Sequence, residues 1–118
     1  MNLQIFGSTS CFETKKAQRF FKERNISFQF VDLKLYSLSP KEFESVYRNF
    51  HNIDEMMDKK SPLYKKLFIE HLGYEEEKKA KLQENPLLFV LPIVRNAQKA
   101  TIGYQPEVWL KWIEEDKS

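Results

Sequence analysis

Within the first 33 residues the hydrophobic period switches from two to 3.6 and back again, which limits the chain to few folds. In "NLQIF", residues 2–6, Leu3 and Ile5 fall on one face and Asn2 and Gln4 on the other, so a short strand is expected, punctuated by Gly7. From Phe12 onward Ala17, Phe20 and Phe21 recur at helical spacing, with Lys15, Lys16, Arg19 and Lys22 on other faces. Asn25 is a suitable helix stop, because Asn tolerates left-handed backbone. "ISFQFVDL", 26–33, alternates through Ile26, Phe28 and Phe30. Two strands joined by such a helix must run parallel in one sheet.

The middle of the chain carries helix signals only. "SLSPKEFESVYRNF" opens with Ser39, Pro40 and Glu42, a start with proline in the first turn and a capping acid. Its apolar stripe is Phe43, Val46, Tyr47 and Phe50. "SPLYKKLFIEHL", 61–72, repeats the start with Ser61 and Pro62. "YEEEKKAKLQEN", 74–85, predicts a charged helix with Glu-to-Lys pairs and a solvated face. Residues 39–85 thus read as a helical insertion within one domain spanning 1–118, since no flexible linker flanks them.

"PLLFVLPIVRN", 86–96, is the most apolar stretch, and Pro92 in its middle forbids one continuous central strand. A short strand starting at Pro92 or Ile93, a turn at 97–99 and an antiparallel partner at 100–104 fit better. "QPEVWLKWIEE", 105–115, closes with a helix that turns Val108, Trp109, Trp112 and Ile113 inward. The order βαβ, helices, ββα is an α/β arrangement of the thioredoxin-like kind, with a four-stranded mixed sheet.

Cys11 is the only cysteine, so no internal disulfide forms and a reducing compartment is the natural setting. "MNLQIFG" is too quickly polar for a signal peptide, and no apolar run approaches a membrane span. A cytoplasmic monomer is expected. The net charge of +2 argues against direct binding to nucleic acid. His51 and His71 are not spaced as metal ligands with Cys11, and no phosphate-binding glycine motif occurs among three glycines. Trp109 and Trp112 read as core rather than as a stacking platform.

Cys11 stands where a loop meets a helix. Unpaired amides and the helix dipole at such a terminus favour a thiolate. Ser8, Thr9 and Ser10 add hydroxyl and amide donors, Lys15 adds charge one turn on, and Thr14 is within reach of the sulfur. The loop after the first strand of a βαβ unit is also where open α/β sheets place their sites.

"CFETKKAQRFFKERNISFQFVDLK", "SPLYKKL", "NPLLFVLPIV" and "IGYQPEVW" together resemble the arsenate reductase (ArsC)-like family and its Spx relatives over nearly the whole chain. The resemblance implies that Cys11 is the redox cysteine and Pro92 the cis-proline facing it. It places Lys59 and Lys60 where the family carries a basic residue. Two departures stand out. Leu91 occupies the position of the family's arginine before the proline, and Thr14 that of a second cysteine. Without a guanidinium, an oxyanion beside a thiolate lacks its strongest partner. Arg95 lies near in sequence, although alternation sends its side chain opposite to Pro92.

Three functions remain open at this point. One is a thiol-dependent oxidoreductase that acts on arsenate or on a mixed disulfide. It binds no cofactor and is resolved by an external thiol such as glutathione, bacillithiol or a thioredoxin system. Another is an Spx-like regulator that binds RNA polymerase, and the third is a family member with an inert thiol.

Overall fold

In the computed structural model, which describes residues 1–117, β1 (Leu3–Gly7) has a strand on each side. It pairs in parallel with β2 (Gln29–Asp32) and antiparallel with β3 (Ile93–Asn96), which pairs antiparallel with β4 (Lys99–Ile102). The four-stranded mixed sheet has the order β2-β1-β3-β4. The parallel pair is joined by α1 (Phe12–Glu23), and α5 (Pro106–Lys117) follows β4. This is a thioredoxin-like α/β fold.

Leu3 and Ile5 face α1 and α5, where they meet Ala17, Phe20, Phe21, Val94, Trp109 and Trp112. The Trp109 ring is fully buried, and its indole N–H donates to Thr101 Oγ1 at 2.9 Å. Burial of a ring this large with its one polar group paired is the favourable way to use tryptophan in a core. The opposite face of the sheet is covered as well. Phe6 and Ile93 pack there against Phe43, Val46, Met56 and Leu88. β1 is therefore apolar on both faces toward its end, and only its early residues alternate with polar ones.

Between β2 and β3 lie α2 (Pro40–Tyr47), α3 (Pro62–Lys66) and α4 (Glu75–Glu84), with 3-10 turns at Ile53–Met56, Ile69–His71 and Pro86–Leu88. The α2 start forms the reciprocal cap its sequence announces. Glu42 N–H donates to Ser39 Oγ at 3.2 Å, and Ser39 N–H to Glu42 Oε1 at 2.8 Å.

Several boundaries differ from the sequence reading. β2 begins only at Gln29, while Ile26 and Phe28 pack on the α1 side outside the ladder. The helix expected over 61–72 breaks at Phe68, which is left-handed (φ 55°) and turns Ile69 into the core. The turn between β3 and β4 is Ala97–Gln98, with Ala97 left-handed and Lys99 already paired with Asn96.

The charged helix α4 is also less solvated than expected. Lys78 Nζ lies 3.1 Å from Asp54, and Lys79 Nζ lies 3.0 Å from Glu44 and 4.3 Å from the centre of the Tyr47 ring. Glu75 accepts from Ile53 N–H at 2.7 Å. These contacts tie α4 to α2 and to the turn between them. The bond to Glu44 holds the Lys79 ammonium above its ordinary pKa. Burial, then the neighbouring Glu75, raises that of the Tyr47 phenol.

Candidate functional site

The chain leaves β1 at Gly7 and enters α1 through a loop that hydrogen-bonds to itself. Ser8 is buried, and its hydroxyl lies 3.0 Å from that of Ser10 and accepts from Ser10 N–H at 3.3 Å. Cys11 N–H donates to the Ser8 carbonyl at 3.0 Å, and the Cys11 carbonyl accepts from Lys15 N–H at 3.2 Å. Cys11 is thus the N-cap of α1, with extended backbone (φ −88°, ψ 120°). Its side chain makes no capping bond, and the thiol is free and half-buried. The first-turn amides of a helix have no intrahelical acceptor, so positive dipole gathers beside this sulfur.

Cys11 opens into a cleft of about 440 Å³. Ser8, Ser10 and Glu13 line it beside Cys11, Leu87, Phe89, Val90 and Leu91 form an apolar stretch of the lining, and Lys34 and Asp58 complete it. The apolar wall is fixed by backbone bonds, from Val90 N–H to the Met56 carbonyl and from Asp58 N–H to the Leu88 carbonyl, both 2.8 Å. It ends at the Leu91–Pro92 peptide, which is cis. Pro92 is buried, and its carbonyl accepts from Gly103 N–H at 2.9 Å.

Only some of the expected site residues meet at this cleft. Ser8, Ser10, Cys11 and Leu91 line one cleft, with Pro92 adjoining it. Thr14 is fully buried beneath the loop, where its Oγ1 accepts from Ser8 N–H at 3.4 Å, a structural use of a side chain expected near the sulfur. Thr9, Lys15, Lys59 and Lys60 are exposed and do not line the cleft. Arg95 is placed elsewhere. Its guanidinium bonds Ser45 and Gln4, because the alternation of β3 turns it toward α2.

The sequence reading did not single out Glu13, Lys34, Asp58, Leu87, Phe89 and Val90. Lys34 was findable, since the carboxyl ends of neighbouring parallel strands share one edge, and Lys34 follows β2 as Cys11 follows β1. Asp58 and the Leu87–Val90 wall depend on how the helical segment folds back, which no local pattern encodes. Lys34 is the one cation lining the cleft among the described residues, against two carboxylates.

A parallel βαβ start, a cysteine at the first helix and a cis-proline before the third strand define a thioredoxin-like protein with a single thiol at its cleft. The ArsC family model matches residues 6–112, and the chain belongs to the ArsC family. It is 25% identical over 130 aligned residues to the global transcriptional regulator Spx 2 of Oceanobacillus iheyensis, covering 95% of this chain and 93% of that protein. An arsenate reductase from Vibrio cholerae superposes with a TM-score of 0.83 at 24% identity, covering 94% of this chain and 97% of that one. An arsenate reductase (ArsC) related protein from Brucella melitensis superposes at 0.69 with 16% identity, covering 96% and 95%. At these identities the superpositions establish the fold.

Proposed function

We propose that this ArsC-family protein is a monothiol oxidoreductase acting on mixed disulfides, with Cys11 as its nucleophile. The observation that carries the reading is the half-buried Cys11 thiol opening into a cleft whose far wall, Leu87–Leu91, is apolar. In the first step the Cys11 thiolate attacks one sulfur of the substrate disulfide. A new S–S bond forms, and the second sulfur leaves with the electron pair and takes up a proton. An external thiolate then attacks the substrate-derived sulfur of the adduct; an S–S bond forms between those two, the bond to Cys11 breaks, and Cys11 leaves with the electron pair as a thiolate. Thr14 is a hydroxyl side chain buried away from the cleft, so the resolving thiol comes from outside, as glutathione, bacillithiol or a thioredoxin-type partner.

Electrostatics favour a disulfide over arsenate. Two anions in contact need strong cationic donors between them. Leu91 supplies none, and Lys34 is exposed. The test is turnover of 2-hydroxyethyl disulfide with glutathione, beside arsenate reduction with glutathione or thioredoxin. Disulfide turnover that vanishes in Cys11→Ser is the expected result. An inert thiol, or arsenate as the better substrate, overturns the reading.

A second reading is an Spx-like regulator that binds RNA polymerase, favoured by the likeness to a protein described as a global transcriptional regulator. Retention of purified polymerase by the immobilised protein, unchanged in Cys11→Ser, would select it.

A further inference from the structure

Arg95 carries a charge that the thiol chemistry does not use. It stands in register with Gln4 of β1 and Ala100 of β4. Its Nε donates to Ser45 Oγ at 3.1 Å and its Nη1 to Gln4 Oε1. Both acceptors are neutral, and among the described residues no carboxylate forms an ion pair with the guanidinium. Ser45 is itself buried and donates its proton to the Ala97 carbonyl at 3.3 Å, so a lone pair is left for Arg95. Gln4 is held in turn, its amide donating to Gln29 at 2.9 Å and to Glu42 at 3.3 Å. A half-buried guanidinium, permanently charged, is thereby fixed in place with the rest of its five N–H donors unclaimed by these two bonds.

Arg95 lines a cleft of about 370 Å³ that shares no residue with the Cys11 cleft. Lys41 and Ser45 of α2 and Arg48 at its C-cap follow helical spacing, so this side of the helix supplies two further cations. Neither Lys41 nor Arg48 forms an ion pair among the described residues. The one carboxylate in the lining, Glu44, is engaged by Lys79 at 3.0 Å. Three cations from two elements line one cleft, whose one lining carboxylate is paired with Lys79.

We propose that this cleft binds a phosphoryl oxyanion, a phosphate or pyrophosphate group, with Arg95 as the anchored fork and Lys41 and Arg48 as the outer charges. A planar guanidinium matches two oxygens of such a group, and more than one negative charge is needed to offset three cations. Pyrophosphate is the probe, followed by backbone amide NMR on the full chain, with inorganic phosphate and ADP as parallel arms. The expected result is saturable shifts at Ser45, Ala97 and Gln98 with the Cys11 amide unmoved, and weaker binding of inorganic phosphate. Arg95→Gln should lower pyrophosphate affinity by about tenfold or more. ADP binding no tighter than pyrophosphate identifies a site for the phosphoryl group alone, and tighter binding identifies a nucleotide as the source. Should Arg95→Gln misfold, the exposed pair Lys41→Gln and Arg48→Gln gives the same reading. No saturable pyrophosphate binding, or affinity unchanged in these variants, overturns the proposal.

Discussion

Thr14 occupies the space that a side chain at Gly7 would need. A Cβ on Gly7 would lie 2.5 Å from both Cγ2 and Oγ1 of Thr14. The end of β1 and the first turn of α1 therefore meet backbone to side chain, and this contact sets where the Cys11 loop can run.

Gly7→Ala should destabilise the protein by about 1–3 kcal/mol, the usual cost of overpacking a closed core. Adding Thr14→Ala should restore part of that loss, because the two clashing atoms are gone. Chemical denaturation of the two single variants and the double variant measures the coupling. Strict additivity would contradict the contact.

Replacing Leu91 with arginine should change which disulfides react. Glutathione disulfide is anionic and 2-hydroxyethyl disulfide is neutral. Leu91→Arg should raise the rate ratio in favour of glutathione disulfide by roughly tenfold at low salt, with the gain shrinking as ionic strength rises. Stopped-flow rates at two salt concentrations check it. An unchanged ratio would show that position 91 does not face the incoming sulfur.

Thr101→Val should cost about 1–3 kcal/mol even though the substitution is nearly isosteric. It leaves the fully buried Trp109 N–H without its 2.9 Å acceptor. Thermal unfolding measures the loss.

Stability should fall on the alkaline side. Tyr47 and Lys79 both bind their protons more tightly in the folded chain than their ordinary values of 10.0 and 10.5 imply. A raised folded pKa gives stability that is complete below the unfolded value and lost as pH climbs through the folded one. Deprotonation removes the Lys79 charge facing Glu44 and puts a phenolate beside Glu75 and Glu76. Urea midpoints followed from pH 8 upward should drop past about 10, and less so in the Tyr47→Phe, Lys79→Met variant.

The sequence made the sheet side of the molecule readable because its periods are short and clean. Leu3 and Ile5, then Ala17, Phe20 and Phe21, declare a strand and a helix without outside help. Cys11 was likewise legible from its place at a helix start, whereas strand chemistry placed Pro92 only at a strand boundary and its position facing the thiol came from the family resemblance. The helical segment resisted. Nothing local in "YKKLFIEHL" says that Phe68 turns left-handed so that Ile69 can reach the core. The charges of α4 match a solvated helix equally well, and only the folded chain reveals Lys78 and Lys79 reaching Asp54 and Glu44. Arg95 was the harder case. Its alternation was readable, but its partners lie about fifty residues away at Ser45 and ninety-one away at Gln4.

The cleft beside Cys11 has two jaws of separate ancestry in the chain. One is the rigid shoulder where β1 meets α1. The other, Leu87–Leu91, hangs from the end of the helical segment and is pinned by Met56 and Asp58. The stretch around Met57 also pairs with Phe89, so this jaw is seated on the helical segment rather than on the sheet. The wall facing the sulfur is thus held by backbone groups that lie well upstream of it in the chain.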